Sequence, residues 1–345
     1  MANNHSLIGK LVGNYRIIAE LKSGSFGSVY RAKHHVFEDD PVVAIKLLHA
    51  HLSSPPEHEQ FLQEARWLKK LKHPHILPVL DAGTQDGMPY IVMEYAPGGS
   101  LRDRLDKQVG TPLPLDEAIA ILSHIGEALH HAHHQTIVHC DLKPDNVLFN
   151  ARNEALLADF GIAAMLATMG TKQIGKGGTP AYMAPEQFES FVSIKSDQYA
   201  LGCIAYELVT GRKPFTIPHP SIQAMWYQHA QVNPTPPTTL NSHVPTHIEQ
   251  AILKALAKNR ADRHADVATF ISALHKSSEQ WFQDGIALSN LKRYEEALAA
   301  YEQAIRLNPN HATAYYNKGS ALERLGKLTE AQQAYAKARQ LGYSG

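Results

Sequence analysis

The hydrophobic period of this chain switches between strand-like and helix-like stretches along its length, and those switches restrict what it can fold into. From Tyr15 to about Leu48 the apolar residues come in short, β-branched runs, YRIIAEL, SVYRAK and VVAIKLL, broken by a Gly/Ser turn and by EDDP. This is the pattern of antiparallel strands. The stretch EHEQFLQEARWLKKL instead spaces Phe61, Leu62, Ala65, Leu68 and Leu71 at helical intervals and is followed by Pro74, which predicts one helix leaning on that sheet. ILPVLDAG and PYIVMEY return to strand composition, and after Pro97-Gly98-Gly99 helical patterns run to about His275. Strands gathered in front and helices behind specify an α+β architecture with a β-rich and an α-rich part. The proline-rich stretch TIPHPSIQAMWYQHAQVNPTPPTTLNSHVP contains Trp226 and Tyr227, which favours a packed surface excursion over a free linker.

Beyond residue 276 a second regularity takes over. Gly285 and Gly319, Ala287 and Ala321, Leu291 and Leu325, Ala297 and Ala331, and Tyr301 and Tyr335 each stand 34 residues apart, and Pro309 follows the first unit. Small residues at that period, where paired helices cross, resemble tetratricopeptide repeats over residues 279–341. Ser277 and Gln280 form a candidate capping box for the first repeat helix, so the expected division is 15–275 and 277–345, without a flexible linker. Two repeats are fewer than usually stand alone. The tail is therefore expected to pack rigidly on the body or on another copy. It serves either as a capping extension or as a groove for a peptide or protein partner.

Composition narrows the function. Lys plus Arg and Asp plus Glu both number 33 in 345 residues, so no overall field draws the chain to nucleic acid or an anionic membrane. No apolar run approaches a membrane span, and MANNHSLIGK lacks a signal pattern; a cytoplasmic location is expected. Cys140 and Cys203 are the only cysteines, too far apart in sequence and without metal-ligand spacing. Cys203, in LGCIAYELV, reads as core.

Three stretches carry chemistry. In LKSGSFGSVY, Gly24 and Gly27 allow backbone to approach a ligand, and exposed amides can meet phosphate oxygens. Lys46 ends the buried run VVAIK, where an ammonium needs a fixed anion; Glu64 on the next helix is the candidate. In IVHCDLKPDNVLF, Asp141, Lys143 and Asn146 stand close together, and Asp159-Phe160-Gly161 follows. Two oxygen-donor side chains suit magnesium, and a third carboxylate can accept a proton or orient an alcohol.

The order SGSFGSV, VAIK, Glu64, HCDLKPDN, DFG and APE resembles the eukaryotic-like serine/threonine protein kinases found in bacteria, across residues 15 to about 275. The resemblance implies a two-lobed protein kinase fold followed by the all-α repeat segment. It implies ATP as phosphoryl donor, magnesium (manganese as the alternative ion) and protein substrates. Asp141 would orient and deprotonate the acceptor hydroxyl and Lys143 would contact the moving phosphoryl group. Asn146 and Asp159 would hold the metal. Lys46, oriented by Glu64, would bind the α and β phosphates beneath the loop Lys22, Ser23, Gly24, Ser25, Phe26 and Gly27. Val29, Ala44 and Leu148 would sandwich the adenine, Glu94 and Ala96 would meet its edge through their backbone, and Met93 would guard the pocket behind. Glu186 would pair with Arg263, Asp197 would steady the catalytic loop, and Thr179 would help admit the acceptor. Lys143, with GTPAYMAPE downstream, implies Ser/Thr rather than Tyr specificity.

Two positions depart from the family pattern. Lys22 stands where most relatives have the first loop glycine, with altered ATP affinity the expected consequence. Cys140 replaces the arginine that clasps a phosphorylated activation loop, so phosphorylation at Thr168 or Thr171 is not expected to be the main switch. Cys140 itself is a small filler or a redox-sensing thiol. In LHHAHHQTIVH, His130 and His134 share a helix face, His139 is a packing residue, and the other histidines are expected to coat an exposed helix. A kinase-like binding protein and a small-molecule phosphotransferase remain the competing readings.

Overall fold

Short β-branched runs pair as their alternation demands. In the computed structural model, which describes residues 7–24, 27–37, 39–52, 54–160, 180–217 and 221–344, six strands form one antiparallel sheet. They are β1 (Leu11–Val12), β2 (Tyr15–Gly24), β3 (Gly27–His34), β4 (Val43–Leu48), β5 (Val79–Gln85) and β6 (Met88–Glu94), in the order β1-β2-β3-β4-β6-β5. Both faces of the sheet are covered. Val43, Ile45 and Leu47 pack with Ile17, Tyr30 and Val92 on one side, while Leu48, Ile91 and Met93 meet Phe61 on the other. Phe61 belongs to helix α1 (Pro55–Lys70), as the 3.6-residue spacing requires.

The helical part follows with α2 (Leu101–Lys107), α3 (Leu115–His134), a small hairpin of β7 (Val147–Phe149) and β8 (Ala155–Leu157), α4 (Ile194–Thr210), α5 (Ile222–Gln231), α6 (Pro237–Leu240), α7 (Thr246–Ala255) and α8 (Val267–Leu274). Helix α4 is apolar nearly all round and is buried over almost its whole length, as an all-round hydrophobic helix must be. Cys203 lies fully buried within it, and burial drives its thiol pKa far up. Trp226 and Tyr227 sit on α5, so the proline-rich stretch contains a helix.

The chain forms two compact units, residues 1–272 and 273–345. The second holds α9 (Ser278–Asn290), α10 (Tyr294–Leu307), α11 (Ala312–Arg324) and α12 (Leu328–Gln340), two helix pairs in the expected period. The capping box forms: Gln280 N–H donates to Ser277 Oγ at 3.1 Å, and Ser277 N–H donates to Gln280 Oε1 at 2.8 Å. Phe282, Ala297, Tyr301, Ala304, Ala314 and Ala321 make its main core. Among the described residues, no helix is long and apolar enough to cross a membrane.

Candidate active site

Strand alternation sets the first charged group. With Val43, Ile45 and Leu47 committed to one face, Ala44 and Lys46 turn to the other. Lys46 Nζ donates to Asp159 Oδ2 at 2.6 Å, with the two side chains 10% and 22% exposed. Burial pushes the Asp159 carboxyl upward, but the charge and hydrogen bond of Lys46, with His139 and Lys143 behind, outweigh it and leave the pKa below the ordinary carboxylate value. The ion pair foreseen between Lys46 and Glu64 is not formed among the described residues. Lys46 pairs with the carboxylate of Asp159 instead, and Glu64 accepts from Gln60 Nε2 at 3.1 Å, one turn back on α1.

Asp141, Lys143 and Asn146 converge on the loop before β7. Lys143 Nζ donates to Asp141 Oδ2 at 2.6 Å, and Asn146 Nδ2 donates to the Asp141 carbonyl at 2.8 Å. The backbone here is strained: Cys140 has φ 69° and Asp159 φ 65°, conformations that cost a non-glycine residue about 1 kcal/mol or more. Asp197, buried on α4, holds the loop in place by accepting from His139 N–H at 2.8 Å and Cys140 N–H at 3.0 Å. The Ala158 N–H donates to the Asn146 carbonyl at 2.8 Å, and His139 Nε2 bonds the Ala158 carbonyl at 2.8 Å. The loop and the segment bearing Asp159 are thus cross-braced into one cleft with Lys46.

Asn146 spends its amide nitrogen on Asp141, which leaves its side-chain oxygen, with the Asp159 carboxylate, as a hard donor set. Among the described residues, no group of three or more His, Cys, Asp or Glu side chains is arranged to hold a metal. That arrangement fits an ion bound through few protein oxygens plus substrate phosphates.

At the end of β6, Met93 is buried, and Glu94 N–H donates to the Pro78 carbonyl at 3.1 Å. Ala96 and Leu148 both lie against the cluster below the sheet. Gly27 opens β3, where a Cβ would collide with the Leu47 carbonyl, so only glycine fits. Ser23 Oγ meets Ser28 Oγ at 3.0 Å. Ser25, Phe26 and Thr179, with Thr168 and Thr171, lie outside the described residues. Away from the cleft, Arg263 grips Glu186 through two bonds of 2.7 and 2.9 Å.

Comparison with known proteins agrees with this geometry. A profile described as "Protein kinase domain" matches residues 15–281, and tetratricopeptide profiles match 287–326 and 312–341. The chain belongs to the protein kinase family. It is 38% identical over 307 residues to serine/threonine-protein kinase Pkn1 of Myxococcus xanthus, covering 86% of this chain and 42% of that protein. It is 36% identical to PknB of Mycobacterium leprae, covering 75% and 42%. The chain thus spans less than half the length of these relatives. Among solved structures, the PknI kinase domain of Mycobacterium tuberculosis superposes with a TM-score of 0.61 at 28% identity, covering 81% of this chain and all of that one.

Several residues of this kinase matter that no motif announced. His133, grouped above with exposed histidines, is 8% exposed and places Nε2 2.8 Å from Asp197 Oδ2, while His130 and His134 meet Nε2 to Nε2 at 3.1 Å in an exposed contact. Gln187 Nε2 donates to the Cys140 carbonyl at 2.9 Å. Tyr182, Arg102 and Glu207 form a buried triad, with Tyr182 OH donating to Glu207 at 2.5 Å and Arg102 at 2.8 Å. The surroundings of Cys140 fit the small filler and do not activate the thiol. Burial, with Asp197 and Asp141 adding to it, pushes its pKa up to about 12, and a neutral thiol is a poor nucleophile. The neighbouring positive charge that could have activated it, Lys143, is turned to Asp141 instead.

Proposed function

We propose that this chain transfers the γ-phosphoryl group of ATP to Ser or Thr hydroxyls of protein substrates. The supporting observation is the meeting of Lys46, Asp159, Asp141, Lys143 and Asn146 in one cleft. In this reading Asp141 accepts the proton of the acceptor hydroxyl and Lys143 lies beside it to meet the transferring group. Lys46 holds the α and β phosphates, and Glu64 on α1 would orient it. Val29, Ala44 and Leu148 enclose the adenine, Glu94 and Ala96 read its edge, and Met93 closes the rear. Asn146 and Asp159 hold magnesium, which neutralises charge on the phosphates when bound. Catalysis is then positioning and electrostatic stabilisation, without a covalent intermediate. The reaction belongs in the cytoplasm, where ATP and magnesium are supplied, and the repeats offer a surface to a protein partner.

Incubation with labelled ATP and magnesium tests the reading. Wild type should label protein on Ser or Thr, Asp159→Ala should label none, and Asp141→Asn should lose about 10²- to 10⁴-fold in rate, the worth of a positioned base. Label of equal intensity in wild type and both variants would sink it. A pseudokinase would retain binding of partners but show no label even in wild type.

A further inference from the structure

Lys22 is the residue that the family pattern does not account for. Between Glu20 and Lys22 the pairing of β2 with β3 slips by a residue, and after the slip Lys22 stands opposite Val29 and Ser23 opposite Ser28. Directly opposed residues of an antiparallel pair project to one face. Val29 is in turn opposite Lys46, so Lys22, Val29 and Lys46 form a cross-strand row on the cleft side, while Ser23 and Ser28 meet on the other. The irregularity therefore aims Lys22 into the cleft.

Its ammonium forms an ion pair with Asp145 Oδ1. Asp145 belongs to the loop of Asp141 and Asn146, directly before the latter. The pair thus ties the phosphate-loop strand to the catalytic loop, 123 positions away in sequence, across the mouth of the cleft. Asp103, at the start of α2, is held by Ser100 N–H and Oγ at 2.8 and 2.7 Å, and Lys22 contributes to lowering its pKa after those bonds. Lys22 is 58% and Asp145 25% exposed, so the tie is solvated and breakable.

We propose that Lys22 and Asp145 form a strap over the nucleotide cleft that stays closed on a bound nucleotide and slows its exchange. The proposal rests on the reading of the cleft as a nucleotide site. A strand residue and a loop residue on opposite walls must separate whenever the walls part, so each release passes through a broken pair. Exposed ion pairs are weak, which limits the effect to about two- to fivefold in rate, and salt should screen it.

Release of mant-ADP from the full chain, chased with excess ATP in stopped flow, decides. Lys22→Ala and Asp145→Asn should each release about two- to fivefold faster at low salt. The double variant should release no faster than either single one, Lys22→Arg should restore the slow rate, and the difference should vanish at high salt. Were Lys22 instead a direct phosphate ligand, Lys22→Ala would release faster while Asp145→Asn released at the wild-type rate or slower, and the strap would be wrong. Additive single effects would also overturn it. A wild type that takes up no mant-ADP overturns the nucleotide reading and the strap together; one that binds, with variants of unaltered release, overturns the strap alone.

Discussion

The kinase unit and the repeat unit are stabilised by opposite means. In the first, ionic and polar side chains join segments far apart in sequence: Lys46 to Asp159, Arg263 to Glu186, and the loop of His139 to Asp197, over 113, 77 and 58 positions. In the second, small residues let neighbouring helices approach, Gly285 against Tyr301 and Gly319 against Tyr335, and the ion pair of Arg293 with Glu296 is exposed and local. Buried charge makes a unit with severe failure points, because removing one partner strands the other. Packing of small residues spreads the cost over many modest contacts.

The largest test of that contrast is Arg263→Ala. Arg263 is fully buried at its side chain and Glu186 only 12% exposed. Burial raises the Glu186 pKa, and the Arg263 bonds more than reverse this; the variant would leave a buried carboxylate unpaired. We expect about 3–5 kcal/mol of destabilisation, read as faster hydrogen exchange across α4 (Ile194–Thr210). Arg293→Ala in the repeats should leave stability nearly unchanged, because exposed pairs contribute little. Equal losses would erase the distinction.

Next in size is a pH effect confined to the kinase unit. His229 is fully buried, with Nδ1 2.9 Å from the Tyr199 hydroxyl and, among the described residues, no hydrogen-bond partner for Nε2. Burial, with Lys258 adding to it, lowers its pKa from 6.5 to about 3. Above pH 6.5 the imidazole is neutral in both folded and unfolded chains. Below it the unfolded chain takes up a proton that the fold refuses, so stability falls as pH drops from 6.5 toward 3. At pH 5 the loss is about 2 kcal/mol. His229→Leu should flatten this slope in exchange measured at pH 7.5 and 5, whatever it does to stability at either pH. An unchanged slope would assign the acid sensitivity elsewhere.

How much of this was legible follows the same division. The repeat period is written directly in the chain, since each contact recurs locally, and the strand alternation placing Lys46 on the cleft face could be read from VVAIK. Partner choice could not. Whether Lys46 meets Glu64 or Asp159 depends on where α1 rests, which no local pattern encodes. His133 differs from His130 and His134 only in helix phase, and a run of histidines hides the phase. Lys22 and Asp145 each sat inside a motif, yet their meeting depends on a one-residue slip in β2 between Glu20 and Lys22, where ELK gives no turn or glycine signal. Strand β1, two residues long, is too short to leave a pattern.

The smallest effect sharpens the comparison within the repeats themselves. Gly285 and Gly319 occupy equivalent positions, and in each a Cβ would press on the ring of the tyrosine sixteen residues later. Replacing either by alanine gains up to about 1 kcal/mol of helix propensity, while overpacking costs about 1–3 kcal/mol where the neighbour cannot yield. Tyr301 is 2% exposed, beside Phe282 at a ring separation of 6.0 Å. It has nowhere to go. Tyr335 is only partly buried, and its hydroxyl donates to exposed Glu323 at 2.9 Å, so its ring can swing outward. Gly285→Ala should therefore destabilise the α9–α10 pair by about 1–2 kcal/mol, whereas Gly319→Ala should be near neutral because propensity offsets a small displacement. Exchange protection of Ser278–Asn290 and Ala312–Arg324 in the full chain reads both. If the two alanines behave alike, the cost is set by the shared sequence position, and the freedom of the tyrosine ring is irrelevant.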